Sequence, residues 1–101
     1  MSGFVIGDDH PALPGHFPGR PIVPGVVILD RVLDAIEAAH GPLGALRLPQ
    51  VKFLRPLLPG QAAQVAIEAV ASPRPDAPAS RWRFRVEHDG QLLASGEVVA
   101  Q

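Results

Sequence analysis

Residues 16–26 read His16-Phe17-Pro18-Gly19-Arg20-Pro21-Ile22-Val23-Pro24-Gly25-Val26. The prolines recur at every third position, which is the repeat of polyproline II, so each one fixes φ and the backbone between them is held extended. The two glycines permit sharp changes of direction. The segment therefore joins a side chain that can accept a proton, the imidazole of His16, to a rigid length of backbone.

The residues that follow predict one long helix. From Val26 to His40 the chain reads as a helix, and Gly41 marks its C-terminal boundary. Asp30 falls about one turn after the helix begins. A potential proton acceptor thus precedes a helix that carries a potential proton donor.

The motif at residues 16–25, followed by Asp30, resembles that of the beta-hydroxyacyl-(acyl carrier protein) dehydratases of fatty acid synthesis. Their pattern is H-F-P-G-x-P-x-x-P-G and then an acidic residue on the central helix, and every fixed element of it is present here. Asp30 is more similar to the 3-hydroxydecanoyl dehydratase/isomerase branch than to the branch that uses glutamate there. Residues 51–61, which read VKFLRPLLPGQ, are similar to the family's strand and turn after the helix. The resemblance implies an α+β hotdog fold, in which a curved antiparallel sheet wraps around one long central helix.

The rest of the sequence predicts antiparallel strands. They span residues 4–6, 46–54, 61–71, 81–88 and 91–100, with a proline-rich loop at 8–24 and a flexible connection at 72–80. Residues 81–88 alternate cleanly, so Trp82, Phe84 and Val86 should face the core while the arginines between them face water. One helix with a run of antiparallel strands is itself an α+β pattern.

Three positions carry specific expectations for the sheet. Pro49 cannot donate to a strand ladder, so it should lie at a sheet edge or a bulge. Asp89-Gly90 predicts a tight hairpin, and Gly96 in the returning strand is a candidate for a bulge.

Composition restricts the class of protein. A chain of 101 residues with 47% apolar content predicts a single domain over residues 1–101 with a modest core, for which oligomerisation is favoured. A net charge of −1 gives no general attraction to nucleic acid or to anionic membranes. The absence of cysteine excludes disulfides and thiolate catalysis. We expect a cytoplasmic protein, because the sequence has neither a secretion signal nor an apolar run of about 20 residues.

Dehydration of a 3-hydroxyacyl thioester needs one base, to take the proton at C2, and one acid, to protonate the leaving hydroxyl at C3. His16 is the candidate base, since neutral imidazole accepts a proton near neutral pH. Asp30 would act as the acid only while it carries a proton. Its helical neighbours Val26, Val27 and Leu33 are apolar, and desolvation by them would favour the uncharged carboxyl.

The developing enolate needs a hydrogen-bond donor. The backbone amides of Gly25 and Val26 at the start of the helix, aided by the helix dipole, could bind the substrate carbonyl. The family resemblance implies the Gly25 amide in particular. It also assigns Phe17, Pro18, Gly19 and Pro24 to the motif that shapes the substrate site.

The resemblance implies further properties of the assembly. His16 and Asp30 would meet across a homodimer interface, and the peptide bond between His16 and Phe17 would be cis. Substrate would arrive on the phosphopantetheine arm of acyl carrier protein, an acidic partner, with no other cofactor and no metal. Arg20, Lys52 and Arg55 are candidates for docking the carrier, although each is also typical of a solvated surface charge.

Several interpretations stay open at this point. Asp34 stands where the family often has glutamine, so it either helps to keep Asp30 protonated or weakens the site. Asp30, Asp34 and Glu37 are also typical of a solvated helix face. The preferred function is dehydration, with isomerisation to a 3-enoyl product as an added activity. The alternatives are a hotdog thioesterase and a non-catalytic protein that binds acyl carrier protein.

Overall fold

The computed structural model describes residues 2–7, 22–42, 44–70 and 80–100. Within them lie one helix and five strands: β1 (Ser2–Val5), α1 (Gly25–His40), β2 (Leu46–Phe53), β3 (Ala62–Ala69), β4 (Arg81–His88) and β5 (Gln91–Ala100). The strands form one sheet in the order β1-β3-β4-β5-β2, and every neighbouring pair is antiparallel. The predicted α+β architecture is confirmed.

Local chemistry explains both ends of α1. Pro24 precedes the helix with φ −59°, and its carbonyl accepts hydrogen bonds from the amides of Val27, at 3.0 Å, and Ile28, at 3.4 Å. Gly41 ends the helix with φ +85°, a conformation that glycine adopts without steric cost, and its amide donates to the Glu37 carbonyl at 2.7 Å. The predicted C-terminal boundary is confirmed.

The core lies between one side of α1 and the inner face of the sheet. The helix contributes Val27, Ile28, Val32, Ala35 and Ile36. In β4, Trp82, Phe84 and Val86 are buried and the alternating arginines are exposed, as the period of two predicts. His40 packs its ring against that of Trp82, with centroids 5.4 Å apart.

The turn chemistry of the sheet follows the sequence closely. Asp89 and Gly90 both have positive φ, 50° and 78°, which is the conformation of a type I′ hairpin turn. Pro49 lies in β2, an edge strand, where the register with β5 is irregular between Arg47 and Gln50. Both predictions are confirmed.

The prediction of a bulge at Gly96 is wrong. Gly96 pairs regularly with Val51 on one side and Phe84 on the other, and the irregularity between β4 and β5 falls at Val86 and Glu87 instead. A Cβ at position 96 would lie 2.9 Å from the Phe84 ring and would also collide with the carbonyl oxygen of Gln50. Position 96 requires glycine because the Phe84 ring and the neighbouring strand β2 pack directly against its backbone.

Two hydrogen bonds hold the segment after β2, one to the chain just before the start of the helix and one to the residue that follows β1. The Val23 amide donates to the Leu57 carbonyl at 2.8 Å, and the Gly60 amide donates to the Ile6 carbonyl at 2.8 Å. Leu57 and Ile6 are themselves buried in the core. The backbone that enters α1 is therefore anchored to the chain that leaves the edge strand.

The strand boundaries differ slightly from expectation. β1 stops at Val5, so Ile6 is a buried core residue beyond its end, and β3 is shorter than residues 61–71 at both ends. Within the described ranges, no helix is long and apolar enough to cross a membrane.

Candidate active site

In the first turn of α1, two backbone amides have no acceptor among the described residues. The amides of Val27 and Ile28 are bonded to the Pro24 carbonyl, whereas among the described residues those of Gly25 and Val26 have no backbone partner and the helix has no side-chain cap. The first amides of any helix lack an intrahelical acceptor, and they carry the positive end of its dipole. This position can therefore bind a carbonyl oxygen or an oxyanion.

Gly25 lines an apolar cleft of about 390 Å³, and Val26 follows it on the helix outside the lining. The cleft is lined by residues 22–25 before and at the start of the helix, by Ile28 one turn later, and by residues 53–57 after β2. Arg55 is the only charged residue among them. A hydrocarbon chain with a polar carbonyl at one end matches this combination of apolar walls and backbone donors.

Asp30 lies on the exposed side of α1. It is four residues after Val26 and four before Asp34, so all three share one line along the helix, and all three are exposed. Five residues separate Asp30 from Gly25, which is about 7.5 Å along the helix axis. The carboxyl and the free amides are thus at the same end of the same helix.

The apolar surroundings expected for Asp30 are not provided by its own helix. Val27 is buried on the core side, and Val26 is 64% exposed, so the Asp30 carboxyl in a single chain faces water. Leu33 is only partly buried. Helical spacing placed these residues near Asp30, but it did not show which side of the helix would be covered.

Several predicted site residues lie outside the described part of the chain. They are His16, Phe17, Pro18, Gly19 and Arg20, and with them the predicted cis peptide bond. The structure does bring Pro24 and Gly25 into one cleft, with Val26 following them on the helix. The convergence of His16 with Asp30 stays a prediction.

Sequence reasoning missed the aromatic wall of this cleft. The Phe53 ring lies directly against Gly25, and a Cβ at position 25 would be 2.7 Å from the end of that ring. The sequence did contain a signal for this wall, because the alternation of β2 places Phe53 and Val51 on the face that carries the core.

The proposed docking residues Lys52 and Arg55 are exposed, and Arg55 lines the cleft.

A second and larger groove, of about 540 Å³, lies elsewhere on the sheet. Its lining includes Lys52, Arg83 and Arg85 together with Glu68 and Glu97. In the described part of the chain it contains none of the residues predicted for catalysis or substrate binding, whereas the cleft at the helix start contains Pro24 and Gly25. The mixed charges of the larger groove suit a solvated surface. The smaller cleft at the helix start is therefore the better candidate for the active site.

Among the described residues, no group of three or more His, Cys, Asp or Glu side chains could hold a metal ion.

Sequence comparison with known proteins finds two curated relatives that share one name and activity. The chain is 30% identical to the 3-hydroxyacyl-[acyl-carrier-protein] dehydratase FabZ of Pseudoalteromonas translucida, over 90% of this chain and 65% of the relative. It is 35% identical to the FabZ of Symbiobacterium thermophilum, over 65% of this chain and 52% of the relative. The chain therefore spans between half and two thirds of the length of these curated relatives.

Solved structures show the same fold. The dehydratase heterocomplex ApeI:P from Xenorhabdus doucetiae contains a chain that matches with a TM-score of 0.79 at 24% identity, over 96% of this chain and 81% of that one. A hypothetical protein, TT1821, from Thermus thermophilus matches with a TM-score of 0.58 at 20% identity, over 99% and 85%. The predicted hotdog fold is confirmed.

The family assignment follows from the sequence match as well as from the fold. The family described as ApeI-like, the ApeI dehydratases, matches residues 2–97, and the curated relatives bear out the resemblance seen in the motif at residues 16–25. The chain belongs to the ApeI-like dehydratase family.

Proposed function

We propose that this protein is a hydro-lyase that dehydrates (3R)-hydroxyacyl thioesters, carried on acyl carrier protein, to trans-2-enoyl thioesters. The proposed setting is the synthesis of fatty acids or of related lipids and polyenes. The observation that carries the proposal is the pair of helix-start amides, Gly25 and Val26, which have no acceptor among the described residues and lie at the helix end that borders an apolar cleft. The dehydratase activity of the FabZ relatives supports it.

In this mechanism the amides act on the thioester carbonyl. A hydrogen bond from Gly25, reinforced by the dipole of α1, polarises the C=O bond and stabilises the negative charge that grows on its oxygen as the C2 proton leaves. Val26 offers the second donor. The apolar lining excludes water, which strengthens these hydrogen bonds.

Two side chains move the protons. The His16 imidazole takes the proton from C2, and the electron pair left there forms the C2=C3 double bond as the C3–O bond breaks. Asp30 gives its proton to the departing hydroxyl, which leaves as water. Transfer of one proton from the imidazolium back to the carboxylate restores both residues for the next turnover.

We infer that the site is completed by a second copy of the chain, with His16 and Asp30 contributed by opposing subunits. Val26 is 64% exposed and lies one helical turn from Asp30, so this face of α1 leaves apolar surface uncovered. A second subunit placed there would bury Val26 and would supply the apolar surroundings that the helix alone does not give Asp30. The Xenorhabdus relative is part of a heterocomplex, which is assembly with a different chain and not a homodimer.

The remaining parts of the proposal concern delivery and domain organisation. The phosphopantetheine arm of acyl carrier protein presents the substrate, with Arg20, Lys52 and Arg55 as docking residues, and no further cofactor is required. We treat residues 1–101 as one domain, which agrees with β1 and β5, from opposite ends of the chain, belonging to one sheet.

The test is turnover of 3-hydroxyacyl carrier-protein thioesters, followed by the absorbance of the conjugated product and by the loss of one water in its mass spectrum. The matched control is His16→Ala, which we expect to be inactive. Release of free thiol from a saturated acyl thioester would instead indicate a thioesterase. Binding of the acylated carrier without turnover would indicate a non-catalytic protein, and a 3-enoyl product would add isomerisation.

A further inference from the structure

Phe53 touches the residue that carries the proposed carbonyl donor. A Cβ built on Gly25 would lie 2.7, 3.1 and 3.2 Å from three carbons of the Phe53 ring. No side chain fits at position 25 unless the ring moves. The ring edge therefore occupies the space beside the first residue of α1.

The backbone on both sides of this contact is fixed. Phe53 pairs with Ala94, which is fully buried, and the amides of Leu54 and Arg55 both donate to the Leu93 carbonyl, at 2.7 and 3.2 Å. On the helix side, the Val23 amide is bonded to the Leu57 carbonyl. The ring is thus held against Gly25 from a strand end that has little freedom to withdraw.

The contact with Gly25 leaves Phe53 only partly covered. Phe53 is 50% exposed, and it lines the same apolar cleft as Gly25. If the Gly25 amide holds the thioester carbonyl, the atoms next to that carbonyl lie beside the exposed part of the ring. The first of them is C2 of the acyl chain.

We propose that Phe53 is a specificity-determining residue that restricts the site to 3-hydroxyacyl thioesters without a branch at C2. This inference rests on the proposed function, since it assumes that Gly25 binds the thioester carbonyl. A methyl group on C2 would meet the aromatic ring at the point where the ring is braced by the helix. A hydrogen at the same position would not.

The test compares straight-chain and 2-methyl 3-hydroxyacyl pantetheine thioesters, the latter as a mixture of both C2 epimers. Replacing Phe53 by alanine should raise the ratio of kcat/KM for the branched over the straight substrate by about tenfold or more, because one methyl group in a tight apolar site is worth that much discrimination. Phe53→Leu should give a smaller rise. Leu58→Ala, which truncates an exposed leucine after the same strand and outside the cleft, should leave the ratio unchanged.

A second variant tests the contact itself. Gly25→Ala keeps the backbone amide but pushes the Phe53 ring away from the helix and into the cleft, so turnover of the straight substrate should fall. Adding Phe53→Leu to Gly25→Ala should recover a large part of that loss. An additive double mutant would show that the ring and position 25 act independently, and would overturn the proposal.

Binding measurements test this inference independently of the proposed catalytic function. Straight and 2-methyl acyl pantetheine amides, which resist hydrolysis, can be titrated by calorimetry into each variant without any turnover. Phe53→Ala should shift the affinity ratio toward the branched amide even if the wild type proves inactive. If Phe53→Ala weakens both ligands equally, or changes only the subunit mass seen by light scattering, the ring does not select at C2 and the proposal fails.

Discussion

The carboxyl of Asp30 is exposed on the side of α1 opposite to the core, so it contributes little to the folding of a single chain. Within the described residues, its position gives it no part in the core. Val26, one turn before it on the same line, is also exposed, and its amide has no backbone acceptor among the described residues. The exposed side of the helix start therefore carries both a donor for a carbonyl and a group that can transfer a proton.

Replacing Asp30 by asparagine removes the acid and keeps the shape of the side chain. We expect dehydration to slow by about 10²- to 10⁴-fold, the usual contribution of a general acid. Because the residue is exposed, the free energy of unfolding should change by about 0.5 kcal/mol or less. Steady-state turnover of a 3-hydroxyacyl thioester and urea denaturation measure the two quantities.

The matched control for Asp30 is Asp34→Asn, one helical turn further from the free amides. Asp34 is equally exposed and carries the same charge, so it reports on general electrostatic effects. It should keep most of the activity. Equal losses in the two variants would argue against a specific role for Asp30 in proton transfer.

A second prediction at the scale of single residues concerns the stability effect of replacing Gly96. A methyl group there would press on the Phe84 ring and on the Gln50 carbonyl, so Gly96→Ala should destabilise the protein by about 1–3 kcal/mol, as overpacking does. Ser95→Ala, at the neighbouring and only partly buried position, should be close to neutral. A lower urea midpoint for the first variant alone would support the close packing, and equal midpoints would contradict it.

At the scale of elements, the segment after β2 fixes the backbone that leads into the helix. Leu57 is fully buried, and its carbonyl accepts the hydrogen bond that fixes Val23 just before the helix. Leu58, the next residue, is 44% exposed. The two leucines therefore have the same chemistry but different burial, which makes them a matched pair.

Leu57→Ala should cost about 2–5 kcal/mol of unfolding free energy, the range for a buried leucine. Leu58→Ala should cost about 1 kcal/mol or less, because much of its side chain already faces water. Denaturation midpoints at constant slope give the comparison. A similar cost for both variants would mean that Leu57 is not part of the core that holds the helix start.

Much of each element could be predicted from the sequence, because the deciding information was local. The alternation of β4, the two residues of its hairpin turn and the edge position of Pro49 each follow from properties of single residues or their neighbours. The role of Gly96 could not be predicted in this way. It depends on which residues of β2 and β4 face it, and register is set by the whole sheet.

The same limit applies to the candidate site. The motif at residues 16–25 and the free amides at the helix start were predictable, because a helix always begins with unpaired amides. The contact of Phe53 with Gly25 joins residues far apart in sequence, through the packing of an edge strand on a helix end. The exposure of Asp30 likewise depends on which side of α1 meets the sheet.

At the scale of the whole molecule, a single chain leaves several large apolar side chains exposed. Val26 and Leu54 are each at least half exposed, and Leu48 is also exposed in β2, which is an unpaired edge of the described sheet. Edge strands with exposed apolar residues favour pairing with another chain. We therefore expect a dimer in solution, with a melting temperature that rises with protein concentration. A monomeric mass by light scattering at micromolar concentration would contradict this.

A site shared between two chains makes a stronger prediction, which rests on complementation. His16→Ala and Asp30→Asn should each be inactive as homodimers. In a mixed dimer of the two variants, one site combines the intact His16 of one chain with the intact Asp30 of the other, whereas the second site carries both defects. The mixed dimer should therefore recover about half of the wild-type activity per dimer.

Co-expression with two different affinity tags and sequential purification isolates the mixed dimer for this measurement. A mixed dimer of two His16→Ala chains, prepared in the same way, is the control and should stay inactive. If instead both catalytic groups of a site came from one chain, each site of the mixed dimer would keep one defect and no activity would return. Restoration of activity therefore requires both that the subunits pair and that the imidazole of one chain works with the carboxyl of the other.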